Sequence, residues 1–235
     1  MSTKEATGVV PPPHRRISRL AGILYVLTFV SIPTFALYNP VKSSNYVLGS
    51  GSDTPAVLGA ILEIIVALAG IGTAVVLFPI LKKQNESAAL GLVAARILES
   101  GTIFVGVAFL LSVVTLRRSG AGADALATSH VLVALYNRIF LLGQSFMPAV
   151  CDLLLGTLLY QSRLVPRGLS LIGIVGAPLL VLGYLAVMFN GIAQHSTLAG
   201  LSALAVALFE FSLGIWLIVK GFNPEAAEAL DARTG

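Results

Sequence analysis

The stretch Ala88–Leu116, AALGLVAARILESGTIFVGVAFLLSVVTL, decides the fold of this chain. It is longer than the roughly 20 apolar residues that an α-helix needs to cross a bilayer. Its interior nevertheless carries Arg96 and Glu99. A charge at the centre of a membrane costs at least about 2.5–3.5 kcal/mol. We therefore expect a membrane-spanning helix whose Arg96 and Glu99 face protein and not lipid.

The composition of the whole chain agrees with a membrane protein. Hydrophobic residues make up 56% of the 235 positions and charged residues only 11%, whereas charged residues make up about 25% of a soluble domain. The net charge of +4 comes from Lys and Arg beside apolar runs, which is typical of membrane topology and not of nucleic-acid binding. Cys151 is the single cysteine, so an intrachain disulfide is excluded.

Five further apolar runs flank the first one and predict an all-α, polytopic bundle of six transmembrane helices. The predicted spans are at about 20–37, 56–81, 88–116, 131–160, 169–189 and 198–219. We expect residues 1–19 to form a disordered basic tail, because their proline run favours an extended chain. Residues 20–221 form one transmembrane domain, residues 222–235 a short frayed tail, and residues 38–55 and 119–130 external connections.

The distribution of basic residues predicts that both termini are cytoplasmic. An even number of spans places both termini on one side, and Lys and Arg concentrate in cytoplasmic loops. With the termini inside, ten basic residues are internal: Lys4, Arg15, Arg16, Arg19, Lys82, Lys83, Arg163, Arg167, Lys220 and Arg233. Four are external: Lys42, Arg117, Arg118 and Arg138. The pair Arg117-Arg118 is the exception to the rule.

Four of the predicted spans carry an acidic residue on a stripe of small residues: Glu63, Glu99, Asp152 and Glu210. Small residues allow helices to approach closely, so each acid is expected to face the bundle interior. We predict that Arg96 is the counter-ion of at least one inner acid, with Asp152 or Glu210 the better candidate and Glu99 a neighbour along the helix. Glu63 lies in the outer half, closer to Arg138.

The inner acids outnumber their basic partner. Asp152, Glu99 and Glu210 face the single Arg96, so at least one carboxyl is expected to be protonated or to hold a proton, a cation or a cationic ligand. We predict a small-molecule or proton-linked binding or transport module with membrane lipids around it. Two alternatives stay open, a structural or regulatory scaffold whose charges only set helix packing, and a membrane-embedded enzyme acting on a lipid-like substrate.

Two structural observations distinguish these functions. A water-accessible cavity touching Arg96 and two or more acids would favour binding, whereas a dry, fully paired cluster would favour the scaffold. A hydroxyl or thiol within reach of a base in such a cavity would favour the enzyme. The sequence has no Gly-x-Ser-x-Gly elbow, Walker loop, dinucleotide fingerprint or His-Glu-x-x-His motif. We therefore predict no catalysis, no metal and no cofactor; a homo-oligomer is compatible with the sequence, but no feature supports it.

Several runs resemble one family of bacterial membrane proteins. They are LEII at 62–65, GTAVVLFP at 72–79, ARILE at 95–99, LVPR at 164–167 and EFSLGIWLIVKGF at 210–222. Together they look like the domain of unknown function 4386 family, over roughly Arg19 to Phe222. The resemblance implies a six-helix protein of the bacterial inner membrane and implies no activity.

Overall fold

The computed structural model describes residues 12–194 and 196–233, and these residues form helices and short connections. Residues 1–11 and 234–235 of the predicted tails, and His195, lie outside this range. The α-helices are α1 Pro12–Leu27, α2 Thr34–Leu37, α3 Thr54–Leu81, α4 Glu86–Arg118, α5 Leu126–Phe140, α6 Met147–Ser162, α7 Arg167–Met188, α8 Thr197–Val219 and α9 Pro224–Asp231. Short 3-10 helices cover Thr28–Ser31, Tyr46–Leu48 and Gly122–Ala125, and a π-helix covers Leu141–Phe146.

Six helical segments are long and apolar enough to cross a membrane. They are Pro13–Leu37, Thr54–Leu81, Glu86–Arg118, Gly122–Ser162, Arg167–Met188 and Thr197–Val219. The prediction of an all-α fold with six membrane-length helices is confirmed. Successive segments run in opposite directions, so the bundle has two ends. We name the end with both termini the terminal end, and the end with the connection at residues 38–53 the loop end.

The central segment α4 is stabilised at both of its ends by its own sequence. Asn85 precedes the helix, and its side chain accepts a hydrogen bond from the Ala88 amide at 3.0 Å. Glu86 lies in the first turn and Arg117 and Arg118 in the last turn, where their charges complement the helix dipole. A helix of 33 residues is roughly 50 Å long, so its ends project beyond the hydrocarbon core.

Two spans contain breaks in their α-helical geometry. In the first span Pro33 has no amide hydrogen to donate to the Phe29 carbonyl, and the Ile32 amide donates to it instead at 3.2 Å. The result is the 3-10 turn Thr28–Ser31. In the fourth span the π-helix Leu141–Phe146 separates α5 from α6. π-Helical turns often occur at functional sites, and both breaks lie beside the cavities described below.

The prediction of a disordered tail over residues 1–19 is wrong for the part that the structure describes. Helix α1 begins at Pro12. The Arg15 guanidinium donates to the carbonyls of Ile218 and Val219 at 3.2 and 3.0 Å, respectively. These are carbonyls of the last turn of α8, which lack partners within their own helix. Arg15 therefore caps a neighbouring helix, an interaction that the proline run gave no reason to expect.

The C-terminal tail, predicted to be frayed, contains the helix α9. The Asn223 side chain accepts a hydrogen bond from the Glu225 amide at 3.0 Å and starts this helix. Ala227 and Leu230 are buried in the main hydrophobic core. Asp231 lies 2.9 Å from Lys83 Nζ and 3.3 Å from His14 Nε2, so the described ends of the chain meet at the terminal end.

The connection at residues 38–53 is also more ordered than its polar sequence indicated. Tyr38, Val41, Tyr46 and Val47 are buried, and they pack against residues of α3, α4 and α5. The connection predicted at residues 119–130 likewise contains a 3-10 helix and the first turn of α5. Apolar residues at irregular spacing anchor these segments, so no helical or strand periodicity reveals the packing.

Helix α1 packs closely against α8 through two glycines. A Cβ atom at Gly22 would lie 2.6 Å from the Gly214 carbonyl oxygen and 2.9 Å from the Ile218 nitrogen. Both atoms belong to backbone, so neither can rotate away. The small-residue stripe of α8 therefore forms a helix contact.

We expect Gly22→Ala to lower the free energy of unfolding by about 1–3 kcal/mol, because the two helices must move apart. The matched control is Gly101→Ala, since a Cβ atom there would have no neighbour within 4 Å; it should be neutral or stabilising by up to about 1 kcal/mol. Chemical unfolding in detergent micelles measures both. Equal effects of the two variants would contradict the close helix contact.

Candidate functional site

Arg96 lies at the centre of a buried polar cluster in which α1, α4, α6 and α8 meet. Its side chain is only 3% exposed. Nη1 donates to Glu99 Oε2 at 2.9 Å, one turn along α4. Nη2 donates to Glu210 Oε1 of α8 and lies 3.5 Å from the Tyr25 hydroxyl. The predicted contacts of Arg96 with Glu99 and Glu210 are therefore present.

Asp152 completes the cluster, next to the carboxyl group of Glu210. Its side chain is fully buried, and Oδ1 lies 3.9 Å from Arg96 Nη2, which is beyond hydrogen-bond range. Among the described residues, no N–H donor forms a hydrogen bond with either oxygen of Asp152, and no acceptor forms one with Nε of Arg96. Buried polar atoms normally have partners. A proton shared between the adjacent carboxyls of Asp152 and Glu210 would supply such a partner for Asp152.

A cavity of about 220 Å³ opens beside the cluster. We name it the central cavity. Arg96, Glu99 and Glu210 line it, together with the 3-10 turn Thr28–Ser31 and Gln144 of the π-helix. Its remaining lining is small or apolar: Ile32, Val66, Gly70, Ser100, Ile103, Pro148, Ala203, Val206 and Ala207. Arg96 and two acids thus face a cavity, as expected for a binding site and not for a fully paired cluster.

Glu63 forms a second, separate polar cluster nearer the loop end. It is only 1% exposed. Oε2 accepts from the Tyr38 hydroxyl at 3.1 Å, and Oε1 accepts from the Tyr136 hydroxyl at 3.0 Å and the Gln144 amide at 3.3 Å. Lys42 Nζ lies 4.2 Å from the centre of the Tyr136 ring. The prediction that Glu63 stands apart from the Arg96 cluster is supported by these contacts.

Arg138, the predicted neighbour of Glu63, is not its partner. In the part of the chain that the structure describes, no ion pair joins the two residues. Arg138 lies on an exposed face of α5. Tyrosine hydroxyls and one amide take its place, because Tyr38 and Tyr136 are brought together edge to face with ring centroids 5.6 Å apart.

One carboxylate at the loop end partly offsets the two charges of the exceptional pair Arg117-Arg118. Asp53 accepts hydrogen bonds from Arg117, from Arg118 Nε at 2.7 Å and from the Tyr46 hydroxyl at 2.6 Å. The Arg117 guanidinium also stacks 3.9 Å from the Tyr46 ring centre. This network fastens the connection at residues 38–53 to the end of α4. It accounts for two arginines at the end where few basic residues are expected.

The network shifts the pKa values of its members in opposite directions. Burial and the hydrogen bond to Asp53 raise the pKa of Tyr46 to about 12. Partial burial raises the pKa of Asp53, but the hydrogen bonds from Tyr46 and Arg118 and the charges of both arginines outweigh it, so its pKa is lowered. Asp53 therefore stabilises the fold above its unfolded pKa of about 3.9. This contribution is lost as the pH falls through the lower folded value.

We expect Asp53→Asn to destabilise the protein by about 1–3 kcal/mol at pH 7, because partly buried Arg117 loses its counter-ion. The difference from wild type should shrink below about pH 4, where wild-type Asp53 also becomes neutral. Melting temperatures between pH 3 and pH 7 measure this. Asp124→Asn is the control, since Asp124 is exposed and has no ion pair among the described residues; a similar loss in that variant would contradict the assignment.

Cys151 is the side chain of the cluster with a potential nucleophile. The Cys151 thiol lies 3.5 Å from Glu99 Oε2, so a thiol does stand beside a carboxylate. Cys151 is fully buried and is not among the residues that line the central cavity. Within the described residues, no group of three or more His, Cys, Asp or Glu side chains is arranged to hold a metal ion.

The fold and the buried cluster define a class: a multi-pass helical membrane protein with a charged interior site. The chain belongs to the family described as Domain of unknown function (DUF4386), which it matches over residues 20–221. The resemblance drawn from the sequence is therefore confirmed, and the match includes the first span from residue 20 onward and all of the other five. No curated protein and no solved structure matches the chain.

Proposed function

We propose that this protein binds a small cationic molecule or a proton in the central cavity, as part of a binding or transport cycle across the membrane. The observation that carries the proposal is the unbalanced cluster beside the cavity. Three carboxyls, Glu99, Asp152 and Glu210, surround the single guanidinium of Arg96. A positive charge entering this site would offset the excess of acid, whereas an anion would increase it.

Three charged side chains on the cavity wall support binding over a purely structural role. A cluster that only sets helix packing needs no cavity, whereas Arg96, Glu99 and Glu210 line one here. The cavity supplies the space that a ligand or water would occupy. The buried position of Cys151 supports binding over catalysis, because a substrate in the cavity does not touch the thiol.

We further propose that the protein lies in the bacterial inner membrane with both termini in the cytoplasm. The excess of Lys and Arg at the terminal end supports this orientation, and the Asp53 network accounts for the exception. A reporter that is active only in the cytoplasm, fused after Gly235, should be active in cells. Activity of a periplasm-specific reporter at the same position would contradict the orientation.

Thermal unfolding in detergent across pH 5 to 9 tests the binding proposal. Three probes of similar shape are compared: benzylamine, which is cationic, benzyl alcohol, which is neutral, and benzoate, which is anionic. A ligand at 100 times its Kd stabilises the folded state by about 2.7 kcal/mol. We expect benzylamine to raise the melting temperature and the other two to leave it unchanged.

Two variants locate the effect. Glu210→Gln removes a cavity carboxylate and should abolish the response to benzylamine. Glu228→Gln removes an exposed carboxylate of α9 and should retain it. A response that is equal for all three probes, or that survives in Glu210→Gln, would contradict the proposed site. A pH-dependent stability that is lost in Glu210→Gln without any response to benzylamine would assign the site to a proton alone.

A further inference from the structure

A second cavity lies between the central cavity and the loop end. Its volume is about 320 Å³, and we name it the loop-end cavity. Its lining combines aromatic and apolar side chains with hydroxyl and amide groups: Phe35, Phe140, Leu141, Gln144, Ser145, Leu180, Gly183, Tyr184, Val187, Gln194, Ser196, Ala199, Gly200, Ser202 and Ala203. None of these described lining residues is charged.

The two cavities share part of their walls. Gln144 and Ala203 line both of them. Gln144 lies on the π-helix, and its amide also donates to Glu63 at 3.3 Å. One side chain therefore touches the loop-end cavity, the central cavity and the second buried carboxylate. Its position marks the narrow boundary between the two spaces.

One face of α8 runs along both cavities. Ala199 lines the loop-end cavity, Ala203 lines both, and Ala207 and Glu210 line the central cavity. These positions recur at helical spacing and cover roughly 16 Å of the helix. Small side chains thus form a continuous wall from the loop end to the carboxylate of Glu210. At the inner end of this wall, Glu99 joins Glu210 in the lining of the central cavity.

We propose that the loop-end cavity is the entrance to the central cavity, and that organic cations reach Glu210 from the loop end past Gln144. This inference rests on the proposed cation site and adds the route and the ligand class. The aromatic and hydroxyl lining accommodates the uncharged body of an organic amine, while the acidic excess beyond Gln144 attracts its charged group. An inorganic ion would gain nothing from the aromatic part of this route.

The test uses thiol accessibility and requires no knowledge of the natural ligand. Cys151→Ala removes the single native thiol, and Ala207→Cys then places one thiol in the central cavity. Reagents are added to one side of sealed vesicles: the cationic trimethylammonium-ethyl methanethiosulfonate and the anionic sulfonatoethyl methanethiosulfonate. The exposed positions Ser50→Cys and Ser87→Cys mark the loop end and the terminal end, respectively.

We expect Ala207→Cys to react from the side on which Ser50→Cys reacts. After each rate is divided by the rate at Ser50→Cys, the cationic reagent should be about tenfold faster than the anionic one, since the acidic site concentrates cations. The control is Leu208→Cys, one position further on the exposed face of α8. Its thiol faces lipid in the membrane and should not react.

A blocking variant tests the route itself. Ala199→Phe fills the loop-end cavity without touching the central one, and it should slow the reaction of Ala207→Cys at least tenfold. Any of three outcomes would contradict the proposal that the loop-end cavity is the entrance. They are reaction of Ala207→Cys from the Ser87 side, equal normalised rates for the two reagents, and an unchanged rate in the Ala199→Phe variant. These outcomes are independent of the benzylamine experiment, so the route can fail while the cation site stands.

Discussion

Replacing Arg96 with methionine is expected to lower the free energy of unfolding by about 3–5 kcal/mol, because it removes the one cation that the described residues place in this buried group of carboxylates. Methionine retains most of the side-chain length, so the loss reflects charge and hydrogen bonding more than an empty space. Arg96 donates to Glu99 and Glu210, and both acceptors would lose their partner. Chemical unfolding in detergent micelles at pH 7 gives the measurement.

A double-mutant cycle separates the Arg96 pair from general destabilisation. We expect Arg96→Met and Glu210→Gln to be non-additive by about 1–3 kcal/mol, because residues in one ion-pair network couple. Arg96→Met and Glu63→Gln should instead add within about 0.5 kcal/mol, since Glu63 is held by Tyr38, Tyr136 and Gln144. Additivity in the first pair, or strong coupling in the second, would contradict the division into two clusters.

The Arg96 cluster could be anticipated because it depends on helical periodicity. Once Glu99 and Glu210 lie on small-residue stripes, and lipid excludes their charge, the bundle interior is the only place for them. The contact between α4 and α8 then follows from the need of each charge for a partner. The sequence could not show that Asp152 stays 3.9 Å from Arg96, since that distance depends on the packing of three helices.

The partners of Glu63 could not be anticipated in the same way. Tyr38 lies in a segment that is polar on average, and it is buried only because the connection after α2 folds back over α3, where its ring would contact any Cβ at Gly59 at 2.5 Å. Gln144 owes its position to the π-helix, which has no sequence signature. The helix α9 in the C-terminal tail could not be predicted for a similar reason. It has eight residues, too few for periodicity to distinguish a helix from a linker.

Glu63→Leu is expected to lower the free energy of unfolding by about 3–5 kcal/mol, the second large effect in this protein. Two opposing terms decide the magnitude. Removing a buried carboxylate relieves its desolvation, but it leaves the hydroxyls of Tyr38 and Tyr136 and the amide of Gln144 without their acceptor. Each buried donor left unsatisfied costs about 1–3 kcal/mol. The free energy lost at three unsatisfied donors exceeds the desolvation free energy regained by removing the carboxylate, because these donors already solvated it well.

Removing the two tyrosine donors should reduce the destabilisation caused by Glu63→Leu. In a Tyr38→Phe, Tyr136→Phe background, Glu63→Leu should cost about 2–3 kcal/mol less than in the wild-type background, because two of the three orphaned groups are then absent. Glu63→Gln should cost only about 1 kcal/mol, since its amide oxygen still accepts a hydrogen bond. If Glu63→Leu were equally costly in both backgrounds, the two hydroxyls would not be the cause. The destabilisation would then have to come from the shape of the leucine side chain. If Glu63→Gln were equally destabilising, the cause would instead be the lost charge of the carboxylate that faces Lys42.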